Sequence, residues 1–342
     1  MGSVTLKENS RHMKNKLLIA VPTFLKERVG RISGCSKVYF IQDLGEDELE
    51  SVLPAIDCVL ILHWPREIDE KRLSIMKNLR MIQTIIGSVD EIPFKHLDDR
   101  VIVCNNIGAY AVEVAEHAFA LLLAAAKAIT NCDAAIKSGA WTDNSEIKRG
   151  TQAVILKEKK LGILGYGHIG RSVAPLAMAF GMDVCAFARR RAAIKGKWIR
   201  PYLGRGGLAC ILRECDAFIL TLPLTKLTRC IIGRDELSLM KKNSILVNVG
   251  RAELVDPIAL YEHLSMHPTF TYATDVWWPK DGKMSLAPTL PFLTLNNFIG
   301  TPHISGPTAL VRGTMVQQAT ENLLRYLTGR KLRHVADRSD YA

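Results

Sequence analysis

The chain has 342 residues, 48% of them hydrophobic and 23% charged, which fits a globular protein of two domains and excludes a disordered or low-complexity chain. Its net charge of +11 comes from positive residues spread along the whole length. The densest stretch, Arg189 to Arg205, does not interleave cations with aromatics as base-stacking surfaces do, so small anions explain the charge better than nucleic acid.

Residues 1–13 are polar and hold no signal-peptide core, and Leu6 breaks the myristoylation pattern that Gly2 would begin. They are expected to be a disordered tail or an expression remnant. From Lys16 the chain alternates strand and helix patterns. Strands are expected at 16–21, 36–40, 58–62, 81–85 and 101–104, with helices at 45–53 and 69–76. Ala111 to Ile129 reads as one long alanine-rich helix. A second series follows, with strands at 161–164, 183–187, 216–220, 244–249, 271–275 and 298–301, and an amphipathic helix closes the chain at 308–327. This pattern predicts two parallel sheets with covered faces. The longest apolar run, Ala118 to Ala126, is too short to span a bilayer, so no membrane partner is expected. None of the eight cysteines forms a Cys-x-x-Cys pair. The expectation is reduced, buried thiols in a cytoplasmic protein, with no metal site.

The strand at 161–164 runs into Gly165-Tyr166-Gly167-His168-Ile169-Gly170. Gly-x-Gly-x-x-Gly between a strand and a helix suits a tight turn, close backbone approach to a pyrophosphate, and close packing of the next helix. The helix N-terminus favours the phosphate charge. The position that reads the adenosine ribose lies about 20 residues further on. An acid there selects NAD, but this chain has Ala188 followed by Arg189, Arg190 and Arg191. Guanidinium groups pair with a 2′-phosphate, so NADP is expected over NAD, through Arg189 and Arg190.

Four further segments stand in order: Val114-Ala115-Glu116-His117, Leu222-Pro223-Leu224-Thr225, Asn248-Val249-Gly250-Arg251 and Thr301-Pro302-His303-Ile304-Ser305-Gly306. With the glycine motif they resemble the D-isomer-specific 2-hydroxyacid dehydrogenase family, which includes glyoxylate/hydroxypyruvate reductases. The resemblance implies two Rossmann-like, doubly wound parallel-sheet domains. The cofactor domain, 109–306, is inserted into a flavodoxin-like substrate domain of 14–108 and 307–335, with the active site in the cleft between them. It also implies a homodimer joined through the cofactor domain.

By the same resemblance, Arg251 holds the substrate carboxylate and polarises the carbonyl, a task suited to a planar fork. His303 exchanges the proton with the substrate oxygen. Ile86, Gly87 and Ser88 match a loop that binds the carboxylate through backbone N–H groups, although Ser88 stands where relatives have glycine. Leu222, Pro223, Val249 and Gly250 line the cofactor groove, and Asp275 lies near the nicotinamide, or else caps a turn. His63 and Trp64 are candidates for shaping substrate choice, and Trp141 for the dimer arm. Apart from His168 of the glycine motif, which is expected at the cofactor with Tyr166 and Ile169, the other histidines carry no expected role.

One departure stands out. Relatives place a glutamate where this chain has Lys280, and that acid raises the pKa of the catalytic histidine. Three readings are open: Asp281 takes the role, another acid approaches, or His303 works unassisted. The first is preferred. The activity expected is hydride transfer between NADP(H) and a small 2-oxo acid such as glyoxylate or hydroxypyruvate. The alternatives are formate oxidation, suggested by Trp277 and the Thr-Pro-His loop, and a non-catalytic cofactor sensor of the corepressor type.

Overall fold

The computed structural model describes residues 16–20, 26, 29, 32, 36–62, 64, 66–139, 153–194, 196–280, 283–284, 290–306 and 309–341. The chain falls into two compact units, one of residues up to Ala109 with those from Ala309 onward, the other Tyr110–Thr308.

In the first unit, strands β1 (Lys16–Ala20), β2 (Lys37–Phe40), β3 (Cys58–Ile61), β4 (Met81–Thr84) and β5 (Ile102–Cys104) form a parallel sheet of order β2-β1-β3-β4-β5. This is the flavodoxin-like order. Leu18, Val59, Ile61 and Ile82 pack with Leu49 of helix α1 (Glu46–Val52) and Leu73 of helix α2 (Glu70–Ile75). Asp69 caps α2 by accepting from Arg72 N at 2.8 Å, as an N-cap acid should. The last helix, Ala309–Leu327, joins this unit through buried amides. Asn322 Nδ2 donates to Gln83 Oε1 at 2.7 Å, and Asn106 Nδ2 donates to the Met315 carbonyl at 2.9 Å.

The second unit opens with helix α3 (Ala111–Ala126) and α4 (Ile129–Lys137). The expected single helix is broken between them, because Ala128 takes a left-handed φ of +49° and the axis turns by 63°. Seven parallel strands follow: β6 (Lys160–Leu164), β7 (Asp183–Phe187), β8 (Ile199–Tyr202), β9 (Ala217–Leu220), β10 (Ile245–Asn248), β11 (Thr271–Thr274) and β14 (Phe298–Gly300). Their order is β14-β11-β10-β9-β6-β7-β8, the dinucleotide-binding arrangement with one strand added. The short hairpin β12 (Pro279–Lys280) and β13 (Lys283–Met284) stands outside this sheet.

The sequence pattern led to six strands and missed β8. Arg200 and Pro201 disguise it, and Pro201 is tolerated because β8 is the edge strand. The basic stretch around β8 also holds two aromatics, Trp198 at 81% exposure and the buried Tyr202, contrary to the sequence reading.

Both faces of the large sheet are covered, as a parallel sheet requires. Leu161, Ile163 and Ile219 face α3 and helix α5 (His168–Ala179), while Leu164, Phe218 and Leu220 face helix α6 (Gly204–Glu214). The remaining helices are α7 (Arg234–Leu239), α8 (Pro257–Met266) and α9, the closing helix at 309–327. Among the described residues no single helix is long and apolar enough to cross a membrane. Cys58, Cys104, Cys185 and Cys215 are buried as expected, whereas Cys210 and Cys230 are exposed.

Candidate active site

Strand register brings the motif residues to one edge of the large sheet. Leu164 pairs with Phe187 and Leu220, Leu220 with Asn248, Asn248 with Thr274, and Thr274 with Gly300. The residues that follow these partners leave the carboxyl ends of adjacent strands side by side. They include Gly165, Ala188, Leu222, Arg251, Asp275 and His303. Ligands of open parallel sheets bind at this edge.

The glycine turn has the three properties a dinucleotide needs. Gly165 has φ +108°, a conformation that side chains resist, and a Cβ there would lie 2.8 Å from Leu222 N. Gly167 caps α5 with open space where its Cβ would be, which leaves room for a pyrophosphate over the helix N-terminus. At Gly170 a Cβ would collide with the Gly165 carbonyl oxygen and lie 2.9 Å from Ile163 Cγ2, so only glycine lets helix and strand pack this closely. Gly170→Ala is therefore expected to cost about 1–3 kcal/mol through overpacking. A thermal scan with an unchanged Tm would refute this. Within the turn, Tyr166 is buried in the core and Ile169 packs against it, so their side chains serve the fold. His168 starts α5, and burial, with Arg171 nearby, holds its pKa below the usual value.

Ala188, the residue expected at the ribose, is buried and donates its N–H to the Tyr202 carbonyl at 3.2 Å. Arg189 and Arg190 are exposed just after it. Arg191 instead donates to the carbonyl of Ile194 at 2.8 Å, and Arg171 reaches the carbonyl of Ala193 at 3.2 Å.

Arg251 follows β10, on a loop shaped by the buried Asn248. The Asn248 amide donates to the Arg251 carbonyl at 2.9 Å and accepts from Gly250 N at 3.1 Å. The Arg251 guanidinium donates to the Gly250 carbonyl at 2.9 Å and acts electrostatically on His303. His303 takes a left-handed φ of +55°. Such backbone costs about 1–3 kcal/mol and persists only where neighbours impose it. Here Asp275 imposes it. This carboxylate is 0% exposed, and it accepts from Thr301 Oγ1 at 2.6 Å, Ile304 N at 2.9 Å and Ser305 N at 2.8 Å. Trp277 adds a bond from Nε1 to the Thr301 carbonyl at 2.7 Å. Burial pulls the His303 pKa down, the Asp275 charge opposes this, and Arg251 adds to the lowering.

The glycine turn, the arginine loop and the histidine loop thus share one sheet edge. The stretch 119–305 matches the family model described as the NAD-binding domain of D-isomer-specific 2-hydroxyacid dehydrogenases. The chain belongs to this family. A hydroxypyruvate reductase of Thermotoga maritima is 30% identical over 289 residues, covering 84% of this chain and 90% of that one. Glyoxylate/hydroxypyruvate reductase B of Serratia proteamaculans is 32% identical over 311 residues, covering 90% and 93%. Among solved structures, a Pyrobaculum aerophilum protein provisionally assigned as a formate dehydrogenase has a TM-score of 0.79 at 30% identity, covering 96% of this chain and all of that one. The chain is accordingly a nicotinamide-dependent 2-hydroxyacid dehydrogenase or reductase.

Other residues expected to matter in this dehydrogenase belong to the first unit or lie outside the described residues. Ile86, Gly87 and Ser88 follow β4 in the first unit, where the Ile86 carbonyl accepts from Thr84 Oγ1 at 2.7 Å and Asn106 N at 3.0 Å. Trp64 is buried. Asp281, His63 and Trp141 lie outside the described residues, as do residues 1–13. Trp277 and Thr301, noted in the sequence for other reasons, hold the histidine loop, and His117, to which no role was given, reaches Thr301 from α3.

Proposed function

We propose that this dehydrogenase reduces a small 2-oxo acid, of the glyoxylate or hydroxypyruvate class, with NADPH. The observation that carries the reading is that Arg251 and His303 follow β10 and β14 at the same carboxyl edge where the glycine turn follows β6. When bound, the nicotinamide supplies the hydride to the substrate C2. Arg251 takes the substrate carboxylate in its planar fork and draws charge toward the carbonyl oxygen. His303 gives its proton to the oxygen as charge develops there, and in the reverse direction takes it back. Asp275 is the acid that acts on His303, by charge and by fixing its loop. In this reading it takes the second of the three possibilities left open by Lys280, Asp281 lying outside the described residues. Leu222, Pro223, Val249 and Gly250 belong to the cofactor groove in this reading. The first unit is the substrate domain, and the active molecule is a homodimer in the cytoplasm.

The choice of NADPH rests on the absent acid at Ala188 and the exposed Arg189 and Arg190. Each charge-assisted bond to the 2′-phosphate is worth about 1.5–3 kcal/mol. Replacing both arginines by alanine is expected to weaken NADPH binding roughly a hundredfold or more and leave NADH nearly unchanged, read as Kd by nicotinamide fluorescence. An equal loss for both cofactors would reject the assignment. A panel of glyoxylate, hydroxypyruvate, pyruvate and phenylpyruvate with each cofactor tests the activity itself. Formate oxidation is the second reading, favoured by the likeness to the Pyrobaculum aerophilum structure. Formate with NAD belongs in the same panel, and turnover there alone would replace the first reading.

A further inference from the structure

His117 lies on α3 with Nε2 2.9 Å from Thr301 Oγ1 and 3.6 Å from Asp275 Oδ1. Thr301 Oγ1 is 2.6 Å from Asp275 Oδ1. Chemistry fixes the direction of these bonds. Asp275 already accepts a backbone N–H on each oxygen and, as a carboxylate, has no proton to give. Of its two acceptors, Asp275 Oδ1 at 2.6 Å and the Thr274 carbonyl at 3.5 Å, the single hydroxyl proton of Thr301 goes to the nearer, Asp275. The hydroxyl oxygen is left as an acceptor toward His117, which must carry its proton on Nε2. The chain runs from His117 N–H to Thr301 O–H to the Asp275 carboxylate.

Thr301 is also tied through its backbone. Its N–H donates to the Thr274 carbonyl at 2.9 Å, and its carbonyl accepts from Trp277 Nε1 at 2.7 Å and His303 N at 3.0 Å. The left-handed turn at His303 starts two residues on and ends on Asp275. Every polar group of Thr301 is thus committed, and the side-chain bond from His117 is the one that comes from a separate helix.

We propose that His117 is a positioning residue. By donating to Thr301 Oγ1 it locks the Thr301–Asp275 pair, and through it the strained backbone that aims the His303 ring. The proposal rests on the acid–base role given to His303 above.

Two variants test it. His117→Phe keeps ring bulk and removes the donor, whereas His117→Gln offers an amide N–H near the Nε2 position. Misaiming a reacting group costs about ten- to a hundredfold in rate. The expected result is that loss in kcat for His117→Phe, with KM and the Kd for NADPH little changed, and recovery of most of it in His117→Gln. Wild-type kcat in His117→Phe, or equal losses in both variants, would overturn the proposal. A second readout does not depend on turnover. Ring-nitrogen NMR of the wild-type protein should show His117 protonated on Nε2, with a resonance displaced by Thr301→Val. The other tautomer, or a resonance indifferent to Thr301→Val, also overturns the proposal. A wild-type enzyme that turns over none of the 2-oxo acids counts against the proposed function, while the NMR result still decides the role of His117.

Discussion

Replacing His303 by glutamine should lower kcat for 2-oxo acid reduction by about 10²–10⁴-fold, the usual worth of a positioned general acid. The cofactor should still bind, because the glycine turn and α5 are built by other residues. The variant should also lose the pH dependence of the reaction. In the wild type, burial sets the His303 pKa below its ordinary 6.5, against the raising effect of Asp275. Reduction needs the protonated ring, so kcat/KM for the 2-oxo acid should fall as pH rises through that lowered pKa, on the acid side of 6.5. Oxidation needs the neutral ring, so its kcat/KM should rise over the same window and then level off. Among the described residues Asp275 is the charge that raises this pKa, so in Asp275→Asn the break should move further toward acid. Finding the same break in His303→Gln would assign it to another group and reject the acid–base role.

Replacing Arg251 by glutamine should reduce kcat/KM by about 10²–10³-fold, comparable to losing a preorganised donor to a developing oxyanion. Both kcat and KM should suffer if, as proposed, the guanidinium binds the carboxylate in the ground state and meets growing charge on the carbonyl oxygen in the transition state. Arg251→Lys should recover only a small part, because an ammonium is a point charge without the fork. Steady-state kinetics with the best substrate, beside NADPH titration by fluorescence, separate this from a cofactor defect. A variant that loses NADPH affinity but keeps kcat would move Arg251 out of the substrate site.

Much of this site is written locally. A strand followed by three spaced glycines specifies a turn whose requirements are met within six residues: positive φ at Gly165, open space at Gly167, contact at Gly170. Arg251 and His303 carry their own local markers. What escaped notice depends on distance or on exceptions to local preference. His117 looks like any half-buried helix residue, and its partner Thr301 lies 184 positions away. Ala128 breaks a helix at the residue type most favourable to helices, so propensity points the wrong way there. Strand β8 is masked by Pro201 and by cations that suit an edge strand. The replacement of the family glutamate by Lys280 raised the question of which acid assists His303. The carboxylate proposed for that part, Asp275, is at the end of β11, where it was expected near the nicotinamide or as a turn cap.

The most direct test of the account follows the hydride. NADPH carrying deuterium at the transferred position of C4 is incubated with glyoxylate or hydroxypyruvate, and the product is read by NMR. The account predicts deuterium on C2 of the 2-hydroxy acid, in the D configuration when hydroxypyruvate is the substrate. Tight NADPH binding without deuterium transfer to any 2-oxo acid, or hydride passing only from formate to NAD, would contradict it.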